Sequence, residues 1–159
     1  MGIEKITQDI GEQFVSEYRR NAEHLAGFTD REIELIAQTA RYHRKSAPKA
    51  KHAEWAALRA DDRELVRRLA GVLRVAIGFD RSHAGRIGSV SVRADGAGDG
   101  SADAAGDDVG EVVIVLHPSS ADEEIELEVH SAELRRNLLE QVLGRDVRVE
   151  VGEPMVRLV

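Results

Sequence analysis

Apolar residues recur at helical spacing through the first half of the chain and at alternate positions through much of the second. Ile3, Ile6, Ile10 and Phe14 predict a helix running towards Tyr18. Thr29 and Glu32 have the spacing of a capping box, in which hydroxyl and carboxylate satisfy free amides at a helix start. Ile33, Ile36, Ala37 and Ala40 follow as an apolar stripe, so this helix delivers Tyr42 and His43 at its C-terminal end, and Pro48 prevents continuation. Trp55 and Leu58 fit a short helix. Asp61 with Glu64 suggests a second box, opening a helix whose Leu65, Leu69, Val72, Leu73 and Ala76 form a wide stripe expected to be deeply buried. That helix ends near Gly78.

Beyond Gly78 the period shortens. Val90 and Val92 alternate with Ser89, Ser91 and Arg93. Residues 111–117 form a β-branched run typical of a central strand, and Ile125, Leu127 and Val129 alternate with glutamates and His130. Ser131 is placed to cap a helix through Leu134, Leu138 and Val142 that stops at Gly144. Val147, Val149 and Val151 make a last strand. The expected order is β-β-β-α-β, a small antiparallel sheet with one packed helix, and the fold class is α+β. The expected division is a helical portion over 1–86 and a sheet portion over 87–159, packed as one unit. Between the first two strands, ADGAGDGSADAAGDD contains nothing that builds a core, and a flexible loop over about 94–108 is expected. Its Asp/Gly content superficially suggests a calcium loop, but the EF-hand spacing and terminal glutamate are missing.

Composition narrows the chemistry. The absence of cysteine among 159 residues removes disulfides, thiolate nucleophiles and cysteine-based metal sites. Six Phe, Tyr and Trp residues are too few for broad base-stacking platforms. No apolar run reaches membrane-spanning length, and the first residues lack the apolar core of a secretory signal, so a cytoplasmic location is expected. Gly2 does not complete a myristoylation motif, because Ile6 stands where Ser or Thr is needed. The net charge of −7 conceals an uneven distribution, with 16 Lys/Arg against 13 Asp/Glu over residues 1–89 and 6 against 16 thereafter.

The segment ARYHRKSAPKAKH, residues 40–52, carries five Lys/Arg and two imidazoles without one carboxylate. Arg41, His43, Arg44, Lys45, Lys49 and Lys51 are candidates for binding phosphate, because guanidinium forks and mobile ammonium groups match phosphate oxygens. Arg81, His83 and Arg86 form a second candidate group. The alternative is a solvated loop with Arg41 and Arg44 at the negative end of a helix dipole. Nucleophilic chemistry has little support: Ser82 only neighbours His83 in sequence, and Ser46, Ser89 and Ser91 have no evident base. Asp61 and Asp62 could form an acid/base pair but are explained by a helix cap. His24 and His52 are expected at the surface and His117 and His130 at strand ends.

The motifs GFTDRE, RYHRK and FDRSH, in this order, resemble the C-terminal region of the Ppx/GppA family, the exopolyphosphatases and guanosine pentaphosphate phosphohydrolases, over roughly residues 19–151. The resemblance implies an HD-domain-like helical portion. In that family the phosphohydrolase chemistry belongs to actin-like domains with glycine-rich phosphate loops. No such loop occurs in these 159 residues. The HD metal motif is degenerate: Gln8 stands beside Asp9 where a histidine is expected, and the segment before Asn21 is shortened. His43 and Asp80 are weak metal candidates, and no metal, cofactor or catalytic residue is expected. The implied function is a stand-alone, non-catalytic module that binds polyphosphate or another phosphorylated ligand, or a separately encoded catalytic subunit. A divergent metal-dependent HD-type phosphohydrolase and a structural dimerisation module are the alternatives, and a homodimer without membrane contact is expected.

Overall fold

A computed structural model describes residues 16, 27–44, 47–94 and 110–154. The expected helix from Ile3 towards Tyr18, apart from Ser16, and Gln8, Asp9, Asn21, His24, Lys45, Ser46 and nearly all of the expected 94–108 loop lie outside them. The elements are α1 (Asp30–Tyr42), α2 (Ala53–Ala57), α3 (Ala60–Gly78), β1 (Ile87–Ala94), β2 (Val112–Pro118), α4 (Glu126–Glu133), α5 (Asn137–Leu143) and β3 (Val147–Val151). This is an α+β fold. The chain divides into two compact units, Met1–Ala70 and Gly71–Val159, with the division falling inside α3. No helix among the described residues is long and apolar enough to cross a membrane.

In the first unit α1 begins as expected. The Thr29 hydroxyl accepts from the Glu32 amide, and Glu32 Oε2 accepts from the Thr29 amide at 2.7 Å. Those bonds hold the Glu32 carboxyl below its ordinary pKa, the backbone bond contributing most. Ile33, Leu35, Ala37, Gln38 and Tyr42 form the buried face. The start of α3 departs from expectation, because Asp61 lies inside its first turn rather than ahead of it. The buried acid there is Asp62, which accepts from Arg31 at 2.5 Å and from Arg59 at 3.2 Å, fastening the first turn of α1 to the first turn of α3. These hydrogen bonds, Arg31's foremost, hold the Asp62 carboxyl below the usual carboxylate range. Arg63 closes the end of α2 by donating to the Leu58 and Ala56 carbonyls.

The second unit is a three-stranded sheet in the order β1-β2-β3. β1 pairs antiparallel with β2, with Val92 opposite Ile114 and a register shift between Ile87 and Ser89. β3 pairs parallel with β2, with Val149 opposite Ile114. The expected all-antiparallel sheet is therefore corrected to a mixed one. The expected third strand is also corrected, because residues 126–133 form α4. Ile125, Leu127 and Val129 alternate, but Ile125, Glu128, Val129 and Ala132 also fall at helical spacing, and Glu and Leu favour helix. Ile125, Glu128 and Ala132 are buried while Leu127 is left exposed, which selects the helical reading. Ser131 lies inside α4 rather than capping a helix, and His130 is exposed on α4 rather than at a strand end. The helices between β2 and β3 carry the chain back to the starting edge, so β3 must enter parallel. Gly144 ends α5 with φ 64°.

The core of this unit gathers Val75, Ile114, Leu116, Ile125, Ala132, Leu139, Val147 and Val149. Gly78 makes the α3–α4 contact possible, since a Cβ there would lie 2.5 Å from the Ala132 backbone. On the opposite sheet face Val113 and Val115 are buried, and Arg93 pairs with Glu150 at 2.7 Å while Arg148 reaches Glu111 at 3.0 Å and also Glu150. The expected burial of the α3 stripe is overturned. Leu65, Leu69, Val72 and Leu73 are all 38% or more exposed, and Val66, Ala70 and Val75 are buried instead. Val66 and Ala70 lie on one side of the helix and Val75, nine residues after Val66, on the opposite side, so the stripe between these two sides is left uncovered.

Candidate functional site

The basic segment in the first unit is built on aromatic packing. Tyr42, at the end of α1, stacks on His52 with centroids 5.6 Å apart and meets Trp55 edge-on at 5.5 Å. All three are buried, so the expectation that His52 lies at the surface is corrected. Burial pushes the Tyr42 phenol up to about 12, leaving it a hydrogen-bond donor. Its oxygen is 2.7 Å from His52 Nδ1, and the Lys49 amide donates to the same nitrogen at 3.3 Å. An amide can only donate, so Nδ1 accepts and the ring proton sits on Nε2. Burial, reinforced by the charges of Arg41, Lys49 and Lys51, holds His52 below its ordinary pKa. A turn with the His52 amide bonded to the Lys49 carbonyl at 3.0 Å completes the anchor. The loop backbone around Lys49 is thus fixed to the end of α1.

The cations of this segment have unlike surroundings. Arg41 is almost fully buried, its guanidinium 5.4 Å from the Tyr42 ring centroid and 3.0 Å from Glu54. Its charge is balanced inside the fold. His43 caps α1 and its Nδ1 bonds the Ala40 carbonyl. Arg44 and Lys49 are exposed and form no ion pair among the described residues. Lys51 is exposed too, whereas Lys45 lies outside the described residues.

The second group lies in the other unit, in the turn after α3. Arg81 is exposed and has no ion pair among the described residues. His83, at φ 55°, places Nδ1 3.4 Å from Asp80, and Arg86 donates to the Glu124 carbonyl at 2.8 Å and lies 3.6 Å from Glu123. Glu128, which is 1% exposed, accepts from the Ser82 amide at 3.2 Å. Burial alone would raise the Glu128 carboxyl, but bonds from Ser82 and the backbone outweigh it and leave the pKa lowered. This buried acceptor pins the turn.

Among the described residues no three His, Asp or Glu side chains gather as a metal-ligand set. His43 and Asp80, the weak metal candidates, are each engaged within their own turn. Sequence reasoning missed the Tyr42–His52–Trp55 anchor and the Asp62 clamp. The available signal was the concentration of two of six aromatics within residues 42–55 of an aromatic-poor chain.

Comparison with known families adds what geometry alone does not. Residues 15–105, more than half of the chain, match the family described as Ppx/GppA phosphatase, domain III. The match takes in α1, α2, α3, β1 and both basic turns, and it marks the chain as an exopolyphosphatase-related module. The chain belongs to the Ppx/GppA phosphatase domain III family. No curated protein matches it.

Proposed function

We propose that the chain is a non-catalytic binding module for polyphosphate or another phosphorylated ligand, working beside a separately encoded catalytic subunit. The observation that carries this reading is the distribution of carboxylates around residues 43–52. The segment contains none, and Glu54, the first one after it, is engaged by Arg41. Arg44 and Lys49 therefore keep outward positive charge, and the backbone at Lys49 is already fixed by His52, so an anion meets that residue with little ordering cost. Arg81 offers a second such charge in the other unit, with His83, whose Nδ1 lies 3.4 Å from Asp80, beside it in the turn. Arg41 and Arg86, each beside a carboxylate, serve as scaffold in this reading.

Titration calorimetry with long-chain polyphosphate at low ionic strength tests the proposal. Binding should weaken as salt is added. R44A and K49A should each reduce affinity by about 1 kcal/mol, roughly fivefold. No binding at low salt, or full binding by the double variant, would overturn it.

A second reading, self-association, is favoured by the exposed stripe on α3. Leu65 and Ile77, and likewise Leu69 and Leu73, stand at equal distances on either side of Gly71. An antiparallel two-fold pairing of α3 with a second copy sets each against its counterpart. Light scattering should then detect a dimer that L69E converts to monomer. A monomer at high protein concentration would exclude the pairing.

A further inference from the structure

The sheet face that carries Val113 and Val115 holds a serine–imidazole relay that spacing in the sequence does not reveal. Ser89 pairs with His117 and Ser91 with Val115, so Ser91 and His117 are diagonal neighbours on one face. Ser91 Oγ lies 2.9 Å from His117 Nε2, and His117 Nδ1 lies 2.9 Å from the Glu153 carbonyl oxygen. A carbonyl can only accept, so Nδ1 carries the proton and Nε2 presents its lone pair to the serine hydroxyl. The ring has little freedom to leave this position. A Cβ on residue 152 would lie 2.6 Å from His117 Cε1 and Nδ1, and the Gly152 amide is tied to the Leu116 carbonyl at 2.9 Å. Gly152 thus lets the chain close against the imidazole. Ser91 itself is exposed. Nucleophile, base and orienting acceptor stand in the order a serine nucleophile needs, with a backbone carbonyl in the orienting place.

We propose that Ser91 is a nucleophilic acyl acceptor, with His117 as its general base, that takes acyl groups from activated acyl donors such as aryl esters and acyl phosphates. With p-nitrophenyl acetate, Oγ adds to the carbonyl carbon while its proton passes to Nε2. The tetrahedral adduct collapses with cleavage of the bond to the aryl oxygen. p-Nitrophenolate leaves with the electron pair, and the imidazolium returns the proton to solvent. Acetyl-Ser91 and neutral His117 remain, and Nδ1 keeps its proton, donating to the Glu153 carbonyl throughout. The proposal concerns Gly71–Val159 alone and is independent of phosphate binding.

The test treats the full chain with p-nitrophenyl acetate and locates the acetyl group by peptide mass spectrometry. One acetyl group should appear on Ser91, and S89A should behave as the unaltered protein does. H117Q, with circular dichroism unchanged, should acetylate Ser91 at least about tenfold more slowly, as expected for loss of a general base. Acetylation confined to other residues, or an undiminished rate at Ser91 in a folded H117Q, would overturn the proposal. Nitrogen-15 NMR of the unaltered protein gives a second check that no variant folding problem can obscure. It should find the His117 proton on Nδ1, and a proton on Nε2 instead would equally overturn it.

Discussion

His52 shows how much one side chain decides here. Its Nδ1 already accepts from Tyr42 and the Lys49 amide, so protonation there would displace both donors. Its folded pKa is held below the ordinary value near 6.5, so the unfolded chain takes up the proton first as pH falls. This contribution to stability is complete above about pH 6.5 and declines as pH drops towards the lowered folded value. Melting temperature measured against pH should fall across this interval, and H52Q should flatten that part of the curve. A separate, more acid loss belongs to Glu32, Asp62, Glu128 and Glu150, all held below their ordinary values by hydrogen bonds from neighbours. Y42F removes one of the two donors to Nδ1 and should destabilise the fold by about 1 kcal/mol in chemical denaturation.

Individual helices and strands were legible in proportion to how little they depended on distant partners. The Thr29–Glu32 cap is local chemistry, and α1 begins where it says. β2, apolar on both faces, reads as a central strand and is one. Residues 125–132 satisfy two periods at once, and only their neighbours decide between them. The face of α3 that packs is likewise set from outside the helix. Two pairs of substitutions separate these effects. V66A should cost about 1–3 kcal/mol, whereas L69Q, at a position 46% exposed, should change stability by under about 1 kcal/mol. G78A should cost about 1–3 kcal/mol because its methyl meets the Ala132 backbone. G71A should be milder, since the nearest backbone atom is 3.1 Å from the new methyl and alanine favours helix by up to about 1 kcal/mol. Denaturant midpoints measure all four.

For the molecule as a whole, the sequence points to a positive segment in an acidic chain but not to which of its cations remain available. Pairing of Arg41 with Glu54 is a matter of packing, invisible until α1 and α2 are placed. The chain's connectivity carries its own implication for how it must be made. β2 acquires its neighbour on one side only after α4 and α5 have been laid down and the last valines have arrived. A chain released near Gly144 would have an innermost strand with one row of amides and carbonyls with nothing to bond. Such a product invites other nascent chains to supply the missing strand, so early termination should yield insoluble material rather than a slightly shorter domain.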